Sequence, residues 1–419
     1  MNKQLFPLCT LLIILSGCSL APRYDRPDAP IPSAWPSGAA YGENLASAGI
    51  SAATDIQWRD FFTDERLRTV IEIALDNNRD LQIAALNVQK ARAMYGIQRA
   101  ELFPTVNAAA GAMKGRVSTS SFGGGGGVNV EQYSVDLGIS SWEIDFFGRL
   151  RNLKDQVLEE FLATEEAQRS VQISLIFGVA NAYLSLAADR ENLLLAQTTY
   201  ETQKKSFDLI QKRFDVGVAN ELDLRRAQTQ VDAARVDISR YTQLTAQDEN
   251  ALNLLVGASI PASEDLLPEA LDDVAAPQNI TAGLSSEILL NRPDILVAEH
   301  QLKAAYANIG AARAAFFPRI SLTTTFGSAS GDLSDLFSSG TDTWNYAPQI
   351  VTPIFDSRLR SAYKVSKTDK EIAVSQYEKA IQIAFREVAD ALAVQGTVNE
   401  QIFAQQSLVE AFARSHDLS

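Results

Sequence analysis

The sequence predicts a mixed α and β protein that is built as a tandem structural repeat. Three observations predict it: a helical segment that occurs twice, stretches of alternating hydrophobicity after each copy, and long helices with a heptad-like pattern. Internal repetition is the strongest of the three, because equivalent copies are expected to fold in the same way. The 419-residue chain is therefore expected to be one duplicated object rather than several unrelated domains.

The duplicated helical segment ends each time at a Phe-Pro pair. Gly96 and Pro104 recur as Gly310 and Pro318, in both cases 214 positions later. Proline lacks the backbone N–H and disfavours helix in the residue before it, so each helix must end there. In the first copy we expect one helix from about residue 65 to residue 102.

Each copy is followed by a predicted β-hairpin, at residues 105–147 and 319–355. Apolar residues alternate along the first hairpin as far as Ile139 and resume with the opposite phase at Trp142, which predicts a β-bulge at Ser140–Ser141. One strand face is apolar and the other polar, as in a strand with lipid or core on one side and water on the other.

Four strands are too few to close a membrane barrel, because the smallest known barrels have about eight. Two arrangements therefore remain open. Either the sheet packs on a soluble core, or several chains contribute strands to one barrel, in which case two hairpins from each of three chains would give twelve strands.

Two long helices are predicted at residues 149–213 and 221–256. Their apolar residues follow a period of 3.5, which favours a left-handed supercoil. The first seam is Leu175, Val179, Ala182, Leu186, Leu193, Ala196, Tyr200, Phe207, Ile210 and Phe214. A soluble helical hairpin is the simpler alternative. The charge-free stretch at 170–188 has the length of a membrane span, but Gln172 and Asn181 argue against one.

The turn between these helices is formed by Gly217, Val218, Ala219 and Asn220. Gly217 can end the first helix in a left-handed conformation, and Asn220 can cap the second. These residues are either a hairpin tip with a structural role alone or a contact site.

The chain starts with a predicted lipoprotein signal peptide at residues 1–17, in which a short apolar run precedes Cys18. An ordinary secretory signal is the alternative. Residues 18–62, rich in proline, then form an extended arm. A first structural repeat at 63–256, a loop-rich insert at 257–285 and a second repeat at 286–419 follow. The second repeat is expected to be C-terminally incomplete by several tens of residues, because it ends before a second tip.

The composition argues against several functional classes. The net charge of −14 leaves no basic footprint for nucleic acid. His300 and His416 are isolated, so no metal site, cofactor site or histidine-based catalytic group is predicted. The glycines at 123–127 lack the Gly-Lys-Ser/Thr ending of a phosphate loop. The sequence therefore predicts no enzyme.

These features together resemble the TolC-like outer-membrane factors, in particular the lipoprotein subgroup of RND-type multidrug efflux systems. The matching elements are Cys18 with Ser19-Leu20-Ala21-Pro22, the two Phe-Pro helix ends, Trp142 to Arg151, and the tip with Arg213-Phe214 and Asp223-Leu224. The resemblance implies a homotrimer in which a twelve-stranded outer-membrane β-barrel, with four strands per chain, is continued by an α-helical coiled-coil barrel across the periplasm.

The resemblance also implies partners and a location. Cys18 would be lipidated and anchored in outer-membrane lipid, and Gly217, Val218, Ala219 and Asn220 would contact a periplasmic adaptor (membrane fusion) protein joined to an inner-membrane RND-type pump. Gate residues are expected beyond Ser419. The predicted function is passive passage of drugs or other small molecules to the exterior. A type I secretion or metal-efflux duct and a periplasmic coiled-coil scaffold lipoprotein remain alternatives.

Overall fold

The computed structural model describes residues 19–41, 56–118, 127–260, 265–277 and 285–417. The predicted signal peptide, Cys18 and most of the glycine-rich hairpin loop lie outside these ranges. The helices and strands are α1 Trp58–Phe61, α2 Glu65–Asn77, α3 Arg79–Ala100, β1 Val106–Ser118, β2 Gly127–Glu143, α4 Arg149–Asp215, α5 Glu221–Val256, α6 Pro293–Ala314, β3 Arg319–Ser330, β4 Asp342–Val351 and α7 Ser357–Asp417.

The prediction of one continuous helix from residue 65 to residue 102 was wrong, because the chain breaks at Asn78. This residue has extended backbone angles and ends α2, and its side-chain oxygen accepts a hydrogen bond from the Leu81 N–H at 2.9 Å. Its side-chain amide donates to the Leu255 carbonyl at 2.8 Å. An asparagine that caps one helix start and reaches a neighbouring helix stabilises the break.

The second copy breaks at the equivalent position. Arg292, 214 residues after Asn78, has extended angles and separates a short 3₁₀ helix from α6. Helix α6 then begins at Pro293, where the missing N–H costs no helical hydrogen bond. The predicted ends are confirmed, since α3 stops at Ala100 and α6 at Ala314, just before the two Phe-Pro pairs.

The four strands form one antiparallel sheet in the order β1-β2-β3-β4. Strands β2 and β3 belong to different repeats and pair directly, for example Leu137 with Phe326. The predicted bulge is confirmed: the β2–β3 register shifts between Ile139 and Trp142. Ser141 within it has a φ of 55°, and its N–H donates to the Thr323 hydroxyl. The bulge moves Trp142 onto the apolar face and continues that face towards the end of the strand.

The chain divides into two compact units, and each draws segments from both repeats. The first comprises residues 1–29, 88–164 and 295–380 and contains the sheet. The second comprises residues 30–87, 165–294 and 381–419. The predicted boundaries of the repeats remain predictions.

The core of the second unit is formed where α2, α4 and α5 pack with the loop that follows α5. Val70, Ile71, Val179 and Leu252 are fully buried there. The charge-free part of α4 is long and apolar enough to cross a membrane by composition. It supplies the buried Tyr183, whose hydroxyl donates to the Leu266 carbonyl, so this segment acts as a core helix of its unit.

The heptad seams are confirmed by burial. In the C-terminal half of α4, positions 193, 196, 200, 203, 207 and 210 are less exposed and follow alternating steps of three and four, and the adjoining positions 192 and 211 are also partly covered. On α5, Leu224, Val231 and Ala234 are buried at the same spacing. Helix α4 has 67 residues and runs two residues past the expected end, which corresponds to about 100 Å at 1.5 Å per residue.

Candidate functional site

The sheet has one apolar and one polar face, and the strand register fixes which residues share each. Side chains at paired positions of neighbouring strands point to the same side. The apolar face carries Val106, Ala108, Ala110, Tyr133, Val135, Leu137, Ile139, Trp142, Ile320, Leu322, Phe326, Trp344, Tyr346 and Ile350. Many of these are exposed, with Trp344 at 76% and Phe326 and Ile350 each at 67%. A folded protein that leaves such a face open must place it against an apolar environment.

The opposite face carries small and polar side chains. Its small and polar residues are Asn107, Ala109, Gly111, Gln132, Ser134, Asp136, Gly138, Ser321, Thr323, Thr325, Gly327, Thr343, Asn345, Ala347 and Gln349. Towards the β1–β2 loop the same face also carries Met113, Val117, Val128 and Val130. Gly327 illustrates how closely the strands approach, since a Cβ there would lie 2.2 Å from the Val135 carbonyl oxygen. A face of this composition suits water-filled space.

The two outer strands leave the sheet open at both edges. Among the described residues, strand β1 pairs only with β2, and β4 pairs only with β3. Every residue of β1 and β4 is exposed. Unpaired edges offer backbone donors and acceptors to another strand, so the isolated sheet is unfinished on both sides.

The helical tip has the local geometry that the sequence predicted. Gly217 has a φ of +79°, and the Val218 and Ala219 N–H groups both donate to the Arg213 carbonyl. The Asn220 side chain accepts a hydrogen bond from the Asp223 N–H at 2.9 Å and so caps α5. The turn is therefore closed by its own hydrogen bonds.

The crown of this tip is apolar, and exposed charged residues such as Asp215 and Glu221 flank it. Val216 is 74% exposed and Val218 is 66% exposed. Their side chains point into solvent and play no part in closing the turn. A glycine at 217 is required by the left-handed backbone and not by lack of space, because a Cβ there would meet nothing within 4 Å. The tip presents a small, ordered, apolar surface.

The N-terminal arm is attached to α6 by a buried carboxylate that the sequence analysis did not single out. Glu299 is 2% exposed. It accepts hydrogen bonds from Arg26 at 2.6 and 3.2 Å and from the Tyr24 hydroxyl at 3.0 Å, and it forms an ion pair with Lys303 at 3.0 Å. An acid in the middle of α6 was the available signal, but its partners in the arm lie about 275 positions away.

These contacts set the ionisation of the cluster. Burial opposes the charge on Glu299, but the hydrogen bonds from Arg26 and Lys303 outweigh it and hold the pKa of this carboxyl below its usual value. Burial, together with the negative charge of Glu299, raises the pKa of Tyr24. The carboxylate is therefore ionised at neutral pH and fixes the arm electrostatically.

A second acidic group lies in the seam between α4 and α5. Burial, reinforced by the charge of Asp189, raises the pKa of Asp248. Arg190 lies beside this pair but is bound to Glu249 at 2.8 Å and to the Pro268 carbonyl at 2.7 Å. The pair introduces a polar layer into a mostly apolar seam.

His300 was predicted to stand alone on its helix, but the structure places an acidic side chain beside it. Its Nδ1 lies 2.6 Å from a Glu159 carboxylate oxygen. Within the described ranges, no three metal-binding side chains come together, and His416 has no described side chain.

Comparison with a family model gives a match to the description "Outer membrane efflux protein" over residues 70–258 and 284–419. The sequence is 47% identical to the probable efflux pump outer membrane protein TtgC of Pseudomonas putida, over 98% of this chain and 84% of that protein. It is 41% identical to the cation efflux system protein CusC of Escherichia coli O157:H7, over 96% of this chain and 85% of that protein.

Solved structures agree with the sequence matches. A membrane protein from Pseudomonas aeruginosa superimposes with a TM-score of 0.87 at 39% identity, covering 96% of this chain and 89% of that one. The open state of the MtrE outer membrane channel of Neisseria gonorrhoeae gives a TM-score of 0.84 at 35% identity, covering 96% and 87%.

Proposed function

The chain belongs to the outer membrane efflux protein family, and from this premise we propose how its surfaces assemble and operate the duct. Its fold is that of the trimeric outer-membrane efflux channels, mixed α and β with four strands per chain. It lies in the outer membrane of a Gram-negative bacterium and serves as the exit duct of an efflux pump.

The observation that carries the mechanism is the sheet with two different faces and two open edges. In lipid every backbone hydrogen-bonding group must be satisfied within the protein. Pairing β4 of one copy with β1 of the next, three times around, leaves no open edge and gives twelve strands. The apolar face then contacts lipid, and the face with Asp136, Ser321 and Gln349 lines the water-filled path.

The helices supply the second argument for assembly. Helix α3 buries no residue in a single chain and leaves Ile83, Leu86, Met94 and Ile97 between 53 and 70% exposed. A helix that exposes this apolar stripe needs another helix to cover it. Three copies that pool their helices cover such stripes and enclose a tunnel.

Passage through this duct needs no chemical step. A polar path selects solutes by the side chains that line it and by its width. We therefore assign no enzymatic activity, and we expect the energy to come from an inner-membrane RND-type pump that is joined through a periplasmic adaptor.

The cargo proposed here is small organic molecules, including drugs. Relatives at 47% identity are named for antibiotic and toluene efflux pumps, whereas the cation efflux relative is 41% identical. Metal efflux is the second candidate. Drug and copper susceptibility of a strain that lacks the gene, complemented with the wild-type protein, separates the two.

The central experiment uses the complete gene product in detergent and in planar bilayers. We expect a trimer by mass measurement, heat-modifiable migration on gels and a discrete conductance. A protein that remains monomeric and gives no conductance would rule out the duct and favour the scaffold alternative.

The exposed apolar tip supports adaptor contact at Gly217, Val218, Ala219 and Asn220. Gly217→Asp should reduce site-specific crosslinking to the adaptor by about tenfold, because it strains the turn and adds a charge to an apolar surface. Gly340→Asp, a positive-φ glycine in the β3–β4 loop with open space around it, is the matched control. Equal crosslinking in both variants would reduce the tip to a structural turn.

Lipid attachment at Cys18 is supported by the sequence that precedes it. Cys18→Ser should abolish incorporation of labelled palmitate, while the trimer still forms in detergent. Retained labelling would contradict the anchor.

A further inference from the structure

A cavity of about 490 Å³ lies where the sheet meets the helices of the first unit. It opens on the polar face of the sheet, since Glu143, Ser321 and Gln349 form one row across β2, β3 and β4 and all line it. Its volume falls in the range of small-molecule sites.

Among the described residues, each carboxylate that lines this cavity is bound by an arginine, and Glu143 is bound by two. Arg149 donates two hydrogen bonds to Glu143, at 2.8 and 2.9 Å. Asp145 is bound by Arg151, outside the lining. Arg358, also outside the lining, binds Asp356. Each carboxylate therefore already has at least one guanidinium partner.

Arg319 is the remaining cation of the lining. Its Nε lies 3.0 Å from Glu143, which is the one acid within 4.0 Å of it among the described residues. That acid is already neutralised by Arg149, and the Arg319 side chain is 58% exposed. Arg319 therefore shares its carboxylate with a second arginine and keeps guanidinium N–H donors that face water.

One wall beside Arg319 is aromatic and apolar. Phe147 and Phe317 stack with ring centroids 4.8 Å apart and planes inclined by 23°. Leu359 extends this wall. A flat ring system can pack on such a surface while a guanidinium binds an attached anionic group in a bidentate manner.

We propose that this cavity is a binding site for amphipathic organic anions, in which an aromatic body packs against the Phe147–Phe317 wall and a carboxylate or sulfonate binds Arg319. The site deepens the proposed function, because it places a solute contact on the water-filled path of the duct. Ser321 and Gln349 add neutral hydrogen-bonding groups on the same row. The carboxylates are already occupied by arginines, so an organic cation finds no free partner there.

The test measures block of single-channel current in the full-length trimer by 2-naphthoate. Arg319→Gln should raise the half-blocking concentration by about tenfold, because a charge-assisted hydrogen-bonded pair is lost. Arg319→Lys should fall between the two, since lysine keeps the charge but not the fork. The matched control is Arg360→Gln, which removes the same charge from an exposed position outside the cavity lining and should leave block unchanged.

A neutral probe separates charge from ring packing. 2-Naphthamide should block the wild type and Arg319→Gln equally and weakly. Equal block by 2-naphthoate in all variants, or an equal loss in Arg360→Gln, would overturn the site. A wild-type trimer that conducts nothing would refute the duct instead. Equilibrium binding of 2-naphthoate to the solubilised trimer, compared between wild type and Arg319→Gln, would then still decide the present inference.

Discussion

The two copies of the repeated helix have the same length and ends but very different burial. Helix α3 has 22 residues and no buried position. Helix α6 also has 22 residues and buries ten. The duplicated sequence thus sets where each helix stops, whereas the surroundings of each copy determine which residues are removed from water.

The equivalent glycines show this most directly. A Cβ at Gly96 would meet nothing within 4 Å, whereas a Cβ at Gly310 would lie 2.6 Å from the Asn152 side chain and 2.8 Å from the Ala21 Cβ. The N-terminal arm therefore packs against the second copy at a site that only glycine fits. In the first copy, no contact within a single chain requires a glycine at position 96.

At a second pair of equivalent positions, the two copies of the helix differ in charge. Ala85 in α3 corresponds to Glu299 in α6. Only the second copy has the acid that receives Tyr24 and Arg26 of the arm. One copy of the helix has become a docking face for the arm, and the other has kept an apolar stripe that is available to another subunit.

The largest expected effect is at Gly310. Gly310→Val should lower the free energy of unfolding by about 2–3 kcal/mol, because the added methyl groups overlap Asn152 and Ala21. Gly96→Val, the matched variant, should change it by less than about 0.5 kcal/mol. Denaturant unfolding of the detergent-solubilised protein, followed by circular dichroism, measures both. Similar losses of unfolding free energy at the two sites would contradict the view that only the second copy packs tightly around its glycine.

A smaller effect is expected at Glu299. Glu299→Gln should cost about 1–2 kcal/mol at pH 7, because Arg26 and Lys303 lose their ionised partner and both are partly screened by solvent. Ala85→Gln should be nearly neutral.

The pH dependence gives the sign of this contribution. The folded pKa of Glu299 is lowered from 4.5, so its stabilisation is present above that pH and is lost as the pH falls through the folded value. The difference in unfolding free energy between wild type and Glu299→Gln should therefore shrink below about pH 4.5. A difference that stays constant down to pH 3 would show that Glu299 acts by packing alone.

The smallest expected effect has the opposite sign. Gly96→Ala should stabilise the monomer, once it is separated from the trimer, by about 0.5–1 kcal/mol, because alanine loses less backbone entropy in a helix. Gly310→Ala should destabilise it. Trimer yield on native gels sharpens the comparison: if Gly96→Ala lowers the yield while it stabilises the monomer, the neighbouring subunit packs against Gly96.

Local patterns predicted much of this fold. The Phe-Pro ends, the bulge at Ser140–Ser141, the Asn220 cap and the 3.5-residue seams all depend on residues near one another in sequence. The break at Asn78 was missed because half of its cause is the Leu255 carbonyl, 177 positions away. The cavity beside Arg319 was missed for a similar reason, since its lining comes from three separate segments.

The sequence by itself determined that this protein is duplicated, that the repeated helices stop before the Phe-Pro pairs and which strand faces are apolar, because proline, glycine and side-chain periodicity act on the local backbone. Tertiary structure alone decided that β2 pairs with β3 across the two repeats, that the arm docks on α6, and that Glu143, Arg149 and Arg319 surround one cavity. Those outcomes depend on contacts between segments tens to hundreds of residues apart, and no local pattern specifies such partners.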